Sequence, residues 1–174
     1  MIQLDTSWLQ HVQKPARYTG GEYNSIVKDH STVDVTMALG FPDVYEVAMS
    51  HLGIKILYGL VNRREDAVAE RVFAPWNDME EEMRKRNIPL FSLETRTPIK
   101  DFDVLAFTLQ YEMSFTNILN MLDLAGIPMY AKERDLDFPL LVCGGPCAYN
   151  VEPIADFFDI VSLGESEEWG DEFI

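Results

Sequence analysis

Residues 103–146 read DVLAFTLQYEMSFTNILNMLDLAGIPMYAKERDLDFPLLVCGGP, and this stretch decides the fold. It opens on Asp103-Val104-Leu105-Ala106-Phe107-Thr108-Leu109, a nearly unbroken apolar run that marks a buried strand. Over about 112–125 the apolar period lengthens, so that Phe115, Ile118, Leu119 and Leu122 share one helical face, and Gly126 ends the helix. Pro139-Leu140-Leu141-Val142-Cys143 is the next strand, broken by Gly144-Gly145-Pro146. Strand, helix and strand in this order form a crossover unit with parallel strands.

The alternation extends both ways. Upstream, Val33-Asp34-Val35-Thr36-Met37-Ala38-Leu39 predicts a strand that ends in the loop Gly40-Phe41-Pro42-Asp43. A helix is predicted over about 46–63, with Val47, Ser50 or His51, Ile54, Leu57 and Val61 on one face and Lys55 and Asn62 on the other. The run 67–73 is a second strand. Asn77 or Asp78 then caps an acidic helix over 79–86, whose basic end Arg84-Lys85-Arg86 suits the helix dipole. Pro89-Leu90-Phe91-Ser92-Leu93 suggests a short extra or edge strand. Downstream, a short helix near 153–157 leads to a last strand, Asp159-Ile160-Val161-Ser162-Leu163.

Such a pattern implies an α/β fold of Rossmann type, with a mostly parallel sheet and helices on both faces. Right-handed crossovers gather loops 40–45, 108–113, 144–150 and 164–168 along one sheet edge, which is where a ligand is expected. Residues 1–32 stand apart as an N-terminal arm. In it, Asp5-Thr6-Ser7 can cap a short helix carrying Trp8, Leu9 and Val12, and Pro15 stops it. The arm either packs on its own domain or reaches a partner.

Charge narrows the function classes. The chain has 174 residues, 29 acidic against 14 basic, and a net charge of −15. That leaves no broad cationic footprint for a nucleic acid or an anionic membrane. No run approaches the roughly 18 apolar residues of a membrane span, and no basic-then-apolar export signal opens the chain. The expectation is a cytoplasmic protein, and its two cysteines, Cys143 and Cys147, fit a reducing compartment.

The chemical motifs are sparse. Gly144-Gly145 after a strand lets backbone approach a ligand closely, although a tight turn alone would explain it. Neither G-x-G-x-x-G nor G-x-x-x-x-G-K-[ST] occurs, so the usual nucleotide loops are absent. Cys143-x-x-x-Cys147 is followed by Asn150 where a third cluster thiolate would stand, so Cys143 reads as a core hydrophobe and Cys147 as a loop thiol. His11, His30 and His51 show no zinc spacing, and His51 lacks an evident catalytic partner. Glu80-Glu81-Glu82 is a solvated helix face. Gly164-Glu165-Ser166 is not a nucleophile elbow, because Glu168 stands where the second glycine would be.

Several longer fragments carry a resemblance. Lys14-Pro15-Ala16-Arg17-Tyr18-Thr19-Gly20-Gly21-Glu22-Tyr23-Asn24, Phe41-Pro42-Asp43-Val44-Tyr45-Glu46, Ser50-His51-Leu52-Gly53, Phe73-Ala74-Pro75-Trp76 and Gly144-Gly145-Pro146-Cys147-Ala148-Tyr149-Asn150 are the fragments in question. Together they resemble the N-terminal region of a group of radical S-adenosylmethionine proteins that begin with a cobalamin-binding-type domain. The resemblance covers about 14–168. It implies a flavodoxin-like, cobalamin-binding-like domain over 33–168, placed before a radical barrel, with corrin resting on the carboxyl edge of the sheet. Gly144-Gly145 match the G-G element of that superfamily, and Thr108 keeps the hydroxyl of its usual Ser. The tail Gly164-Glu165-Ser166-Glu167-Glu168 is similar to a G-E-G-E-E segment. The cobalt-ligand pattern D-x-H-x-x-G is missing, since the chain reads Met49-Ser50-His51-Leu52-Gly53. A ligating histidine is normally oriented by an acidic partner. Cobalamin would therefore bind without a histidine ligand, or not at all.

By the same resemblance, the [4Fe–4S] cluster and S-adenosylmethionine belong to a downstream domain or a partner chain, and 169–174 begins the linker to it. The chain itself is then a non-catalytic accessory module. Its candidate ligand edge consists of Phe41, Pro42, Asp43 and Tyr45, then Thr108, Gln110 and Tyr111, then Gly144, Gly145 and Pro146, and finally Gly164 and Glu165. Two alternatives stand beside this reading. One is a docking module that binds nothing small and uses Tyr18, Tyr23, Tyr45 and Tyr111 as anchors. The other is a flavodoxin-like binder of flavin or nucleotide, weakened by the absence of a phosphate loop after the first strand.

Overall fold

Five apolar runs form the strands in a computed structural model that describes residues 6–164 and 173–174. They are β1 (Val35–Phe41), β2 (Ala67–Phe73), β3 (Val104–Thr108), β4 (Leu140–Gly144) and β5 (Ile160–Val161). All pair in parallel, in the order β2-β1-β3-β4-β5. The sheet is the all-parallel, Rossmann-like one that the alternation implies, with the strand order of flavodoxin-like folds. Four helices connect the strands: α1 (Tyr45–Ser50), α2 (Leu52–Arg63), α3 (Asn77–Arg86) and α4 (Phe115–Ala125). Strand alternation sorts the core into two layers. Leu105, Phe107, Leu141 and Cys143 face α3 and α4, whereas Met37, Leu39, Val104 and Val142 face the side of α1 and α2.

Several local expectations are corrected. The helix predicted over 46–63 is two helices, because His51 is extended (φ −77°, ψ 124°) and its Nδ1 accepts the N–H of Ile54 at 3.4 Å. The break resets the helical register, so Val47 is exposed while Ile54, Tyr58 and Val61 reach the core. Asn62, expected on the outer side, is buried. Its Nδ2 donates to the Ala69 carbonyl at 2.9 Å and its Oδ1 accepts the Ala69 N–H at 3.1 Å, which fastens α2 to β2. Neither Asn77 nor Asp78 caps α3: Trp76 holds the cap position without a side-chain bond, and the Asp78 carboxylate instead accepts the N–H of Gln13. Phe115 is only half-buried, and Met121 and Leu124 complete the inner face of α4. The short helix near 153–157 is a single 3-10 turn, Ala155–Phe157, preceded by another at Pro146–Asn150.

The segment read as an extra strand at 89–93 contributes only one antiparallel bridge, Phe91 to Pro98. It nevertheless covers the edge of β2, since Leu93 N–H donates to Arg71 O at 2.7 Å and Arg71 N–H donates to Glu94 at 2.7 Å. Blunting an edge with a loop removes a row of unpaired backbone groups. It also buries charge. Arg71 pairs with Glu94 at 2.6 Å, and Glu70 accepts from Ser92 and Thr95 hydroxyls at 2.5 and 2.7 Å and meets His30 Nε2 at 2.7 Å. Burial raises the Glu94 pKa above its ordinary value, and Arg71 opposes that rise.

The N-terminal arm packs against this same body. Trp8, Leu9 and Val12 are buried with α3 in the first layer. Lys14 and Arg17 reach Glu46, and the Tyr18 hydroxyl accepts the N–H of Trp76 at 3.1 Å. Gly20 has φ +67°, and a Cβ there would run into the Leu93 carbonyl, so the arm can cross the edge loop only with glycine. Among the described residues, no helix is long and apolar enough to cross a membrane.

Candidate functional site

The α1–α2 side of the sheet is covered unevenly. Helix α2 packs on β1 and β2, and the outward face of β3 and β4 falls off in size toward its carboxyl end, from Val104 to Ala106 and from Val142 to Gly144. The result is an apolar groove of about 240 Å³. Its floor is Met37, Leu39, Ala106 and Val142, one wall is Ile54, Leu57 and Val61 of α2, and Phe173 and Ile174 form part of the other. Polar groups gather at the carboxyl end, where Thr108, Gln110, His51 and Ser162 line it. Whole-ligand cavities run to roughly 300–1,000 Å³, so this space suits one flat part of a larger ligand.

Local sequence explains how each rim group is held. Thr108 ends β3, and its hydroxyl accepts from the Gln110 amide at 2.5 Å. Gly145 sits at φ +105°, and a Cβ there would meet the Leu109 carbonyl at 3.0 Å and the Thr108 hydroxyl at 3.2 Å. Only glycine lets the β3 and β4 ends close up in this way. His51 packs its ring on Phe41 at 5.2 Å between centroids. Because its Nδ1 accepts from Ile54, the neutral ring carries its proton on Nε2 and offers a donor rather than a metal-ligating lone pair.

The groove therefore brings together Thr108, Gln110, Gly144, Gly145 and Gly164 of the expected edge. The other candidates lie elsewhere. Phe41 and Pro42 are buried, and the Pro42 carbonyl accepts from Asn117 at 2.9 Å. Asp43 binds the N–H of Val44 at 2.7 Å with one oxygen and the Tyr111 hydroxyl with the other. That hydrogen bond is the leading cause of a raised Tyr111 pKa, so the phenol stays protonated. Tyr45 turns toward the arm and packs edge-on against Phe73, and burial, with Glu22 adding, pushes its pKa up to about 12. Pro146 opens the turn after β4 without lining the groove, and Glu165 lies outside the described residues, as do the rest of 165–168.

Of the four tyrosines named as docking anchors, Tyr18 and Tyr45 are half-buried while Tyr23 and Tyr111 are exposed. Sequence reasoning passed over His51 and Ser162 as site residues and the apolar floor as a floor. The alternation Val104, Ala106, Thr108 carried a signal for that floor, since it puts the three on one face with a gap in the middle.

Cys143 is buried on the opposite layer, where desolvation pushes its thiol up to about 12. Cys147 is half-buried there, its pKa raised by burial and by Glu112. Among the described residues, no group of three His, Cys, Asp or Glu side chains could hold a metal ion.

The family described as radical SAM proteins, N-terminal, matches residues 53–174. An uncharacterized protein of Methanocaldococcus jannaschii is 27% identical over 134 residues, which cover 75% of this chain and 24% of that relative. The chain thus spans about a quarter of the relative's length.

Proposed function

This chain belongs to the family of radical SAM protein N-terminal regions, and from that premise we propose that it is a non-catalytic accessory module that holds the nucleotide tail of a cobalamin-type cofactor beside a downstream radical domain. The observation that carries the reading is the groove, with its apolar floor, small residues at Ala106 and Gly144, and polar groups confined to its mouth. A flat heterocycle fits such a floor by area burial. The ribose and phosphate of a tail would meet the hydroxyls of Thr108 and Ser162, the Gln110 amide and the backbone at Gly145. The G-G element that the cobalamin-type resemblance places near the tail is the one that lines this mouth.

The donor set suits the tail and does not suit a histidine bond to cobalt. His51 spends Nδ1 on the start of α2, and among the described residues no acidic side chain is hydrogen-bonded to it. Bound cobalamin would supply group-transfer or radical chemistry at its cobalt. This chain's residues would bind the tail, shield it from water on the α2 side and donate from His51 Nε2. The iron–sulfur cluster and S-adenosylmethionine belong, in this reading, to the downstream domain, because Cys143 and Cys147 are one thiolate short of the three that such a cluster needs. A flavin or nucleotide phosphate is less well served, since at the start of α1 the Asp43 carboxylate already takes the Val44 N–H.

Mixing the protein with hydroxocobalamin, desalting it and recording the visible spectrum tests the reading. Wild type should retain colour, and Ala106→Leu, which fills the groove floor, should lose it while unfolding at nearly the same urea concentration. A colourless wild type overturns the cofactor assignment.

A further inference from the structure

Three residues at the carboxyl ends of β3, β4 and β5 stand abreast on the open face of the sheet. Thr108 pairs with Gly144 across β3 and β4. The register of β4 with β5 sets Val142 beside Ile160 and Cys143 beside Val161, and one step further sets Ser162 beside Gly144. Ser162 N–H donates to Cys143 O at 2.7 Å, which holds it there. All three residues line the groove. Gly144 has no side chain, so the row is a notch with a hydroxyl on each flank. Two strand spacings of about 4.8 Å separate the flanks, the width of one sugar ring with a hydrogen bond on either side.

The two hydroxyls are unequally engaged. Thr108 accepts from the Gln110 amide at 2.5 Å. Ser162 is only 8% exposed, yet among the described residues its hydroxyl has no hydrogen-bond partner. Buried polar groups are paired as a rule, so a buried hydroxyl that faces a groove without a protein partner marks where a ligand pairs it. Charge says which kind of group that is. Among the described residues the lining holds no Asp, Glu, Lys or Arg. A phosphate taken out of water needs a cation beside it. A sugar hydroxyl needs only a group that both donates and accepts, and a serine does both.

We propose that the notch of Thr108, Gly144 and Ser162 is a ribose site, so that the groove takes a neutral ribonucleoside with its base on the apolar floor and any phosphate left in water. The proposal rests on the tail-binding reading and narrows it to the sugar as the group recognised. Ser162 pairs with the ribose 2′-hydroxyl, which lies next to the base and so reaches the row first when the base is seated on Ala106 and Val142. A cobalamin tail and a free nucleoside offer the same chemistry.

Equilibrium dialysis of the full-length polypeptide tests this, with hydroxocobalamin retention measured beside it. The probes are dimethylbenzimidazole riboside, its 2′-deoxy analogue, its phosphate ester and adenosine. Wild type should bind the riboside and its phosphate within about twofold of each other. The 2′-deoxy analogue should bind about three- to tenfold more weakly, the range of one neutral hydrogen bond. Ser162→Ala should lose the same factor on the riboside and nothing further on the 2′-deoxy analogue, a coupling that a merely structural serine would not show. If Ser162→Ala discriminates the two ribosides as wild type does, or if the phosphate binds more than about tenfold tighter, the ribose site is overturned. Hydroxocobalamin retained in that case leaves the cofactor reading standing. If hydroxocobalamin and the riboside stay unbound while adenosine binds and weakens in Ser162→Ala, the cofactor reading falls and the ribose site stands with a free nucleoside as its ligand. If no free riboside binds, the ribose site is overturned.

Discussion

Leu105 and Ala106 are neighbours in β3 and look to opposite sides of the sheet. Leu105 is fully buried in a layer closed by α3, α4, the turns after β4 and the Trp8, Leu9 and Val12 of the arm. Ala106 opens into a groove with one helical wall. The same strands thus carry a packed core on one face and a binding space on the other. What separates the faces is the number of elements laid over them. Among the described residues, three connections and the arm cover the first, and the second is covered by α1 and α2 over β1 and β2 and by Phe173 and Ile174 beside them. Function concentrates where cover is incomplete, since a filled layer has no room for a ligand.

This contrast can be broken or sharpened by substitution. The largest effect belongs to the closed face. Leu122→Ala, at a fully buried position of α4, should cost about 3 kcal/mol from lost burial and the cavity left behind, read as a lower urea midpoint. On the open face the decisive tie is polar. Asn62→Ala leaves both backbone groups of Ala69 unpaired in a buried site, and should cost about 2 kcal/mol and loosen the wall of the groove. Leu57→Ala removes the same atoms as Leu122→Ala from a side chain that already borders open space, and should cost under about 1 kcal/mol in the same titration. Equal costs for the two leucines would show the groove to be closed in solution.

The smallest effect concerns the arm and is seen in pH. Hydrogen bonds from Lys14 and Arg17 hold the Glu46 carboxyl down to about 2, against an ordinary value of 4.5. A carboxylate with a depressed folded pKa stabilises above its unfolded value, and that contribution is lost as pH falls from about 4.5 toward 2. The side chain is 44% exposed, so solvent screening keeps the contribution under about 1 kcal/mol. Glu46→Gln should remove that part of the acid dependence and leave stability at pH 7 lower by the same small amount, measured by urea unfolding at both ends of the range.

Much of the fold was legible because burial on both faces writes itself into composition. The apolar runs at 103–109 and 139–143 could be little else than parallel strands, and Gly126 at φ +70° ends α4 where its position suggested. Polar residues with tertiary partners were misread for a single reason. Asn62 looked like a solvent residue because its amide chemistry is satisfied by a backbone seven residues away. His51 looked like a helix-face residue because capping with a ring nitrogen leaves no pattern. Asp78 looked like a cap and is taken by the arm instead. Within the site, Gly144, Gly145 and Thr108 were readable from motif and strand end. Phe41, Pro42 and Tyr45 were placed there by adjacency alone; Phe41 and Pro42 are buried in the core and Tyr45 turns, half-buried, toward the arm.

The order of strands and helices, the parallel sheet and the loops at its carboxyl edge follow from periodicity and glycine placement, which are properties of local chain stretches. Which face of that sheet stays open is another matter. It depends on how α2, the arm and Phe173 with Ile174 share out the surface, and so on contacts between residues more than a hundred positions apart. Local sequence carries no record of such competition, because a strand residue has the same alternation whether a helix arrives to cover it or not. The groove, and with it the candidate site, was decided only there.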